Sequence, residues 1–131
     1  MDFSELGVLL RPAFRKMISR IPQLRNALIC TPDGFNVCSV GVAENLVGRM
    51  AALTSSVNSI GDALASDFSW DVPAGGLLDI ITMEAQGLQI ASITIADTRQ
   101  PLILMVSART SLGVILVNIK AAAAEIRELL A

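Results

Sequence analysis

The chain has 131 residues, of which 53% are apolar and 17% are charged, and its mean hydropathy is +0.60. Because an average soluble domain is about 45–50% apolar and about 25% charged, a single domain spanning residues 1–131 carries more apolar surface than it can bury alone. The net charge of −2 does not indicate a nucleic-acid partner, and the basic side chains within residues 11–20 are typical of a solvated helix face.

The surplus apolar surface must contact either lipid or another protein chain. A membrane-spanning helix needs about 20 consecutive apolar residues, and Arg109 and Lys120 interrupt the most apolar region, residues 101–126. Acidic Asp2 and Glu5 stand where a signal peptide would carry basic residues. We therefore expect a cytoplasmic protein that does not insert into a membrane and that covers its surplus with another subunit.

Apolar periodicity divides the chain into three helices and five strands. Apolar residues repeating every 3.6 positions indicate helices, and short β-prone runs between turn formers indicate strands. In chain order, the predicted elements are a helix over 3–20, strands over 27–31 and 35–40, a helix over 44–68, a loop over 69–76, strands over 77–83, 88–96 and 102–108, and a helix over 111–130. This order, α-β-β-α-β-β-β-α, predicts an α/β (formally α+β) fold with a five-stranded, mainly antiparallel sheet and helices on both faces.

Three details of these elements can be predicted from single residues or short runs. Pro12 either bends the first helix or lies in the first turn of a helix that begins at Arg11. The turn formers at residues 32–34, Pro-Asp-Gly, predict a hairpin between the first two strands. The run LILMV at residues 102–106 is apolar at every position, so its strand is expected at the centre of the sheet.

The middle helix has two faces that differ in the size of their side chains. Large apolar side chains form one stripe, consisting of Leu46, Met50, Leu53, Val57, Ile60, Leu64 and Phe68. Away from this stripe, small uncharged residues form a seam, consisting of Gly48, Ala52, Ser55, Ser59, Ala63 and Ser66. Small side chains let another backbone approach closely, so we predict that the seam is the helix contact of a two-fold homodimer. The alternative is an exposed Ser/Ala face.

The strand over residues 77–83 is the second predicted contact. It contains no Lys or Pro, which protect many edge strands from pairing with another chain. Pairing with its own copy across the same two-fold axis would join the two sheets into one continuous sheet. Leu78, Ile80 and Thr82 are the predicted interface residues of this strand.

The sequence offers no catalytic or metal-binding constellation. It contains no histidine, the most common general base and metal ligand, and no P-loop motif for phosphates. Cys30 and Cys38 flank the predicted turn and are expected on the same face of the sheet. Two thiolates alone do not complete a zinc site, so we expect two buried thiols, with a disulfide switch as the alternative. No enzyme activity, cofactor or metal is expected.

With these elements in place, the sequence resembles the roadblock/dynein light chain family over residues 3–131. The resemblance is carried by Ile21-Pro22-x-Leu24-x-x-Ala27-Leu28, the Asp33-Gly34-Phe35 turn, the helix over 44–68, the three-strand block over 77–108 and the closing helix that starts Ser111-Leu112-Gly113. It implies homodimers or heterodimers whose middle helices pack together and whose third strands pair. For bacterial members it implies regulation of Ras-like small GTPases, including GTPase activation; eukaryotic relatives are dynein light chains or scaffolds beside GTPases.

The resemblance also implies a regulator that repositions the GTPase's own residues, so no catalytic residue is carried over to this chain. Polar positions of the middle helix are the expected GTPase contacts: Glu44, Asn45, Arg49 and Ser56. Plain solvent-facing residues are the alternative for these positions. Two other functions remain open, namely a small-molecule-sensing profilin-like or longin-like domain and a purely structural scaffold or motor light-chain-like subunit.

Overall fold

The computed structural model describes residues 2–68 and 79–131. In chain order they form α1 (Phe3–Ser19), β1 (Leu24–Cys30), β2 (Asn36–Val40), the short 3-10 helix η1 (Glu44–Leu46), α2 (Val47–Phe68), β3 (Ile80–Ala85), β4 (Leu88–Ile95), β5 (Leu102–Ala108) and α3 (Leu112–Leu129). The predicted order of helices and strands is confirmed. The predicted loop over residues 69–76 and the first two residues of the strand predicted over 77–83 lie outside the described residues.

Four of the five strands differ from their predicted boundaries, β2 and β4 by one residue and β1 and β3 by more. β1 begins at Leu24, three residues early, because the chain already pairs with β5 there and the Ser107 hydroxyl donates to Asn26 Oδ1 at 2.5 Å. β3 continues to Ala85, where the turn at residues 86–87 reverses the chain with φ values of +50° and +84°. Positive φ at both central residues is the requirement of a type I′ hairpin, which matches the twist of its strands.

The five strands form one antiparallel sheet in the order β2-β1-β5-β4-β3. β5 lies at the centre and is buried along its whole length, which confirms the position predicted for its apolar run. β2 and β3 are the two edges. One row of cross-strand neighbours runs through all five strands, consisting of Ile80, Ile93, Leu104, Ile29 and Cys38.

Helices cover both faces of the sheet, as predicted. α1 and α3 pack against each other and against one face, and together they enclose the larger apolar core. α3 contributes five buried residues to this core: Ile115, Ile119, Ala122, Ala123 and Ile126. α2 packs on the opposite face over a smaller core that contains Leu28 and Ile103. Within the described residues, none of the helices combines the length and apolarity that crossing a membrane requires.

α1 is one helix that continues through Pro12. It begins at Asp2, whose carboxylate accepts a hydrogen bond from the Glu5 backbone N–H at 2.8 Å, so the alternative start at Arg11 is wrong. Proline has no N–H to donate to the carbonyl of Val8, four residues earlier. Both residues lie on the exposed side of the helix, so the missing hydrogen bond is at the surface and not in the core.

The β1–β2 hairpin is confirmed, and Thr31 organises its turn. The Thr31 N–H donates to the Phe35 carbonyl at 2.9 Å, and the Phe35 N–H donates to Thr31 Oγ1 at 3.0 Å. Gly34 has a φ of +94°, a conformation that glycine adopts without steric cost. The turn residues at 32–34 therefore act as their chemistry predicts.

The two cysteines lie on opposite faces of the sheet, so the prediction of a shared face is wrong. Cys38 lies opposite Ile29 and packs against the core under α1, whereas Cys30 belongs to the core under α2. Successive residues of a strand point to opposite faces, so the register that pairs Cys38 with Ile29 separates it from Cys30. Both thiols are free.

Candidate functional site

α2 buries a narrow face against the sheet. Its buried residues, Ala51 and Asn58, are seven positions apart and therefore lie on one side of the helix. Asn58 Oδ1 accepts a hydrogen bond of 3.2 Å from the hydroxyl of Thr94, which is itself buried on β4. Most of the circumference of α2 is therefore left for solvent or for a partner.

The large apolar stripe of α2 lies mainly in this uncovered part. Ile60 is 61% exposed and Phe68 is 84% exposed, and three leucines are also exposed: Leu46, Leu53 and Leu64. Met50 and Val57 are half-buried. Scattered apolar side chains are normal on a protein surface, but a contiguous group of large ones marks an interaction site. The surplus apolar surface inferred from composition is therefore concentrated on the stripe.

An apolar groove continues the stripe toward the β3 side of the sheet. It lies between α2 and the neighbouring strands and is lined by Met50, Leu53, Thr54, Val57, Met83, Ile90, Ser92 and Met105. Its volume is about 180 Å³, which is smaller than the roughly 300–1,000 Å³ of typical ligand pockets. We call Leu53, Ile60, Leu64, Phe68 and the exposed Met83 the apolar face.

β3 forms the sheet edge next to this face. In the described part of the chain it pairs with β4 on one side and with no strand on the other. Of the predicted interface residues, Thr82 is exposed, Ile80 is half-buried against the core, and Leu78 lies outside the described residues. Glu84 is the one charged residue of the strand, so the edge has little protection against pairing.

The small-residue seam lies on the opposite flank of α2, beside the β1–β2 turn. Gly48, Ala52, Ser59 and Ala63 are exposed, whereas Ser55 and Ser66 are half-buried. The Ser55 hydroxyl donates to the backbone carbonyl of Pro32, and a Cβ at Gly34 would lie 3.4 Å from the Cα of Ala52. The β1–β2 turn of the same chain therefore packs closely against part of the seam.

The predicted GTPase contacts lie on the outer surface. Glu44 and Asn45 belong to η1, and Arg49 and Ser56 follow on α2; all four are exposed. Arg49 and Ser56 are seven positions apart, so they share one side of the helix between the seam and the stripe. The structure therefore brings these two together, with the other two at the start of the same element.

The described residues include no group of three or more His, Cys, Asp or Glu side chains arranged to hold a metal ion. Burial raises the pKa of Cys30 and of Cys38 to about 12, although the positive charge of Arg11 partly opposes this for Cys38. A thiol with such a pKa is protonated at neutral pH and is a poor nucleophile.

Comparison with known proteins gives similarity in structure. No protein-family model and no curated protein sequence matches the chain significantly. Among solved structures, the chain is similar to a roadblock/LC7 domain from Streptomyces avermitilis, at 19% identity and a TM-score of 0.73 over 88% of this chain and 92% of that one.

Two MglB structures are similar in the same way. MglB of Myxococcus xanthus is 17% identical, with a TM-score of 0.77 over 98% of this chain and 92% of that one. An MglB structure in a tetrameric arrangement is 15% identical, with a TM-score of 0.75 over 99% and 91% of the two chains. The chain has the roadblock/LC7 fold. Similarity over nearly the full length of the chain confirms the fold that the sequence resemblance implies.

Seen as a roadblock/LC7 fold, the chain places its exposed apolar face and one open edge strand on the same flank. The sequence predicts the same strand and the seam of the same helix as the dimer contact, and both stay predictions. The stripe marks the other flank of α2 as a second candidate contact, because its seven large apolar residues exceed what the small core under α2 can cover.

Proposed function

We propose that this protein is one subunit of a non-enzymatic homodimer that binds and regulates a Ras-like small GTPase in the cytoplasm. The observation that carries the proposal is the apolar groove that runs from Leu53 of α2 to Met83 on the open edge strand β3. The roadblock/LC7 fold supports it, and MglB in its tetrameric arrangement is a protein of this fold that self-associates.

A two-fold axis beside β3 would bring both surfaces into contact at once. β3 would pair antiparallel with its copy, and the two sheets would become continuous. The two α2 helices lie on the same face of that sheet, so their stripes would meet above the junction. A two-fold contact buries the same patch on both chains, and here each patch is self-complementary because its centre is apolar and nearly uncharged.

Dimer formation would also build the platform for the GTPase. It would place two α2 helices side by side and thereby double the polar outer surface that carries Arg49 and Ser56. With Glu44 and Asn45 at the start of each helix, these are the proposed GTPase contacts. The protein would supply no reacting group. It would accelerate hydrolysis by binding the reactive conformation of the GTPase better than the resting one, and a tenfold acceleration requires about 1.4 kcal/mol of such preference.

Purified components can test this proposal. Ras-like GTPases encoded by the same genome would be loaded with GDP or with a non-hydrolysable GTP analogue and measured against the immobilised protein by biolayer interferometry. We expect binding to one GTPase that depends on its nucleotide. Arg49→Glu should weaken that binding, whereas Lys120→Glu, an equal charge change at an exposed position of α3, should not.

The possible results separate the parts of the proposal. A dimer that binds one GTPase and changes its rate of GTP hydrolysis supports the whole proposal. A dimer that binds no GTPase in either nucleotide state contradicts the regulatory function and leaves a structural scaffold. A chain that sediments as a monomer at micromolar concentration contradicts the platform itself.

A further inference from the structure

The second edge of the sheet, β2, is chemically unlike the first. β2 is an outer strand by the sheet order, and its sequence, Asn-Val-Cys-Ser-Val, contains no charge and no proline. Edge strands present a row of unpaired backbone N–H and C=O groups that another extended chain can satisfy. In the proposed dimer β3 is used and β2 remains free at both ends of the joined sheet.

Helix α1 runs alongside β2 and forms one wall of a groove with it. A Cβ at Gly7 would lie 3.0 Å from the carbonyl oxygen of Val37, and further along, Arg11 is near enough to act electrostatically on Cys38. The groove has a volume of about 310 Å³ and is open along the exposed end of the strand, at Val40. An added strand would lie about 4.8 Å from β2, beside this wall.

The wall is basic. Arg11 and Arg15 both line the groove and both are exposed, and no acidic residue is among the described residues that line it. Among the described residues, neither arginine forms a salt bridge. The salt bridge that α1 does form joins Lys16 to Glu125 on α3. Like charges four positions apart on a helix repel each other, so an acidic partner would both neutralise this pair and gain charge-assisted hydrogen bonds.

We propose that the β2 edge, together with Arg11 and Arg15, binds an extended acidic peptide segment of a partner protein as an additional strand. The peptide backbone would pair with β2, and carboxylates on its α1 side would contact the two guanidinium groups. A second copy of this chain fits the site less well, since pairing β2 with itself would bring four arginines together. Strand addition gives affinity through the backbone, and side-chain pockets give specificity.

A synthetic probe tests the two components separately. The probe is a fluorescein-labelled peptide of alternating Glu and Val, blocked at both ends, and its binding is followed by fluorescence anisotropy at low and high salt. One comparison peptide carries Lys in place of Glu. A second keeps the Glu residues but is N-methylated at alternate positions, which removes backbone donors from one edge and leaves the charge unchanged.

We expect the acidic probe to bind, with an affinity that falls as salt rises, and we expect both comparison peptides to bind at least about tenfold more weakly. The double variant Arg11→Glu/Arg15→Glu should lose the acidic probe and bind the Lys peptide. Arg20→Glu, also at an exposed position but at the end of α1 away from this groove, should behave as wild type. Circular dichroism verifies that each variant is folded.

Three results would overturn the proposal. Equal binding of the N-methylated peptide would show charge attraction without strand addition, and no binding of the acidic probe would show that the edge is closed. Association beyond a dimer, lost on charge reversal at Arg11 and Arg15, would assign the edge to a second copy. None of these depends on whether a GTPase binds, so failure here is distinguishable from failure of the proposed function.

Discussion

Substitution of Ile60 by Glu tests which flank of α2 makes the contact of the proposed dimer. Ile60 lies on the apolar face and is 61% exposed in the single chain, so the change removes little that stabilises the subunit itself. Ser59, its neighbour in sequence, is exposed on the seam. Because consecutive residues of a helix point about 100° apart, Ser59→Glu and Ile60→Glu place the same charge on two different faces of α2, the seam and the stripe.

The magnitude follows from the exposed fraction. Complete burial of an isoleucine side chain contributes about 1.5–3 kcal/mol, so about 1–2 kcal/mol remains to be gained by each Ile60 on association. A two-fold dimer contains this residue twice, which gives about 2–4 kcal/mol for the loss of both. That corresponds to an increase in the dimer Kd of about 30-fold to 1,000-fold, before any repulsion between the two introduced carboxylates.

Sedimentation velocity over a range of protein concentrations measures this increase directly. Val117→Glu is the matched control, because Val117 is an exposed β-branched residue of α3, on the other face of the sheet. We expect the Kd to rise for Ile60→Glu and to stay unchanged for the control. If Ser59→Glu dissociates the dimer while Ile60→Glu leaves its Kd within a few-fold, the seam is the interface and the reasoning from the apolar face is refuted.

Three further predictions concern the folded chain. Asn58→Ala should lower the free energy of unfolding by about 1–3 kcal/mol in urea titrations, because the buried Thr94 hydroxyl loses its acceptor; Thr94→Val in the same background should recover part of the loss, and additive losses would contradict the coupling. Pro12→Ala should raise the free energy of unfolding by about 2 kcal/mol, since it restores an interior helical hydrogen bond at an exposed position. An unchanged midpoint of urea unfolding would show that this hydrogen bond is not formed. Burial raises the pKa of Cys30 and Cys38, so the thiols of the unfolded chain ionise at lower pH than those of the folded chain. The free energy of unfolding should therefore fall as pH rises from about 9 toward 12. It should fall less over this range in a variant with alanine at both positions.

The elements of the fold were predictable because local and global signals agree. The run at residues 102–106 is apolar on both sides, and only a strand covered on both faces can bury it. The turn at residues 32–34 carries the residues that its geometry demands. Pro12 was ambiguous because a proline is compatible with the start of a helix or with an exposed interior position, and the cap at Asp2 decided between them.

The orientation of α2 could not be read from its periodicity. A helical wheel separates the stripe from the seam, but it does not say which side contacts the sheet. The contact is made by Ala51 and Asn58, and a buried asparagine gives no apolar signal; it is satisfied by Thr94, which lies 36 residues away in sequence. Likewise, the faces of the two cysteines depend on the pairing register across the hairpin, which composition does not encode.

The different chemistry of the two sheet edges also bears on how far association can proceed. An edge strand that paired with the opposite edge of another copy would add subunits head to tail and form an open filament. Such a contact here would keep the apolar faces of the two subunits apart, because the apolar face lies on the β3 side of the sheet and not on the β2 side. Pairing β3 with β3 avoids this, because apolar surface meets apolar surface and the two-fold axis closes the assembly. The position of the apolar face on the β3 side thus favours a closed dimer over a polymer. The β2 edge, with Arg11 and Arg15 beside it, is then left for the acidic chain proposed above.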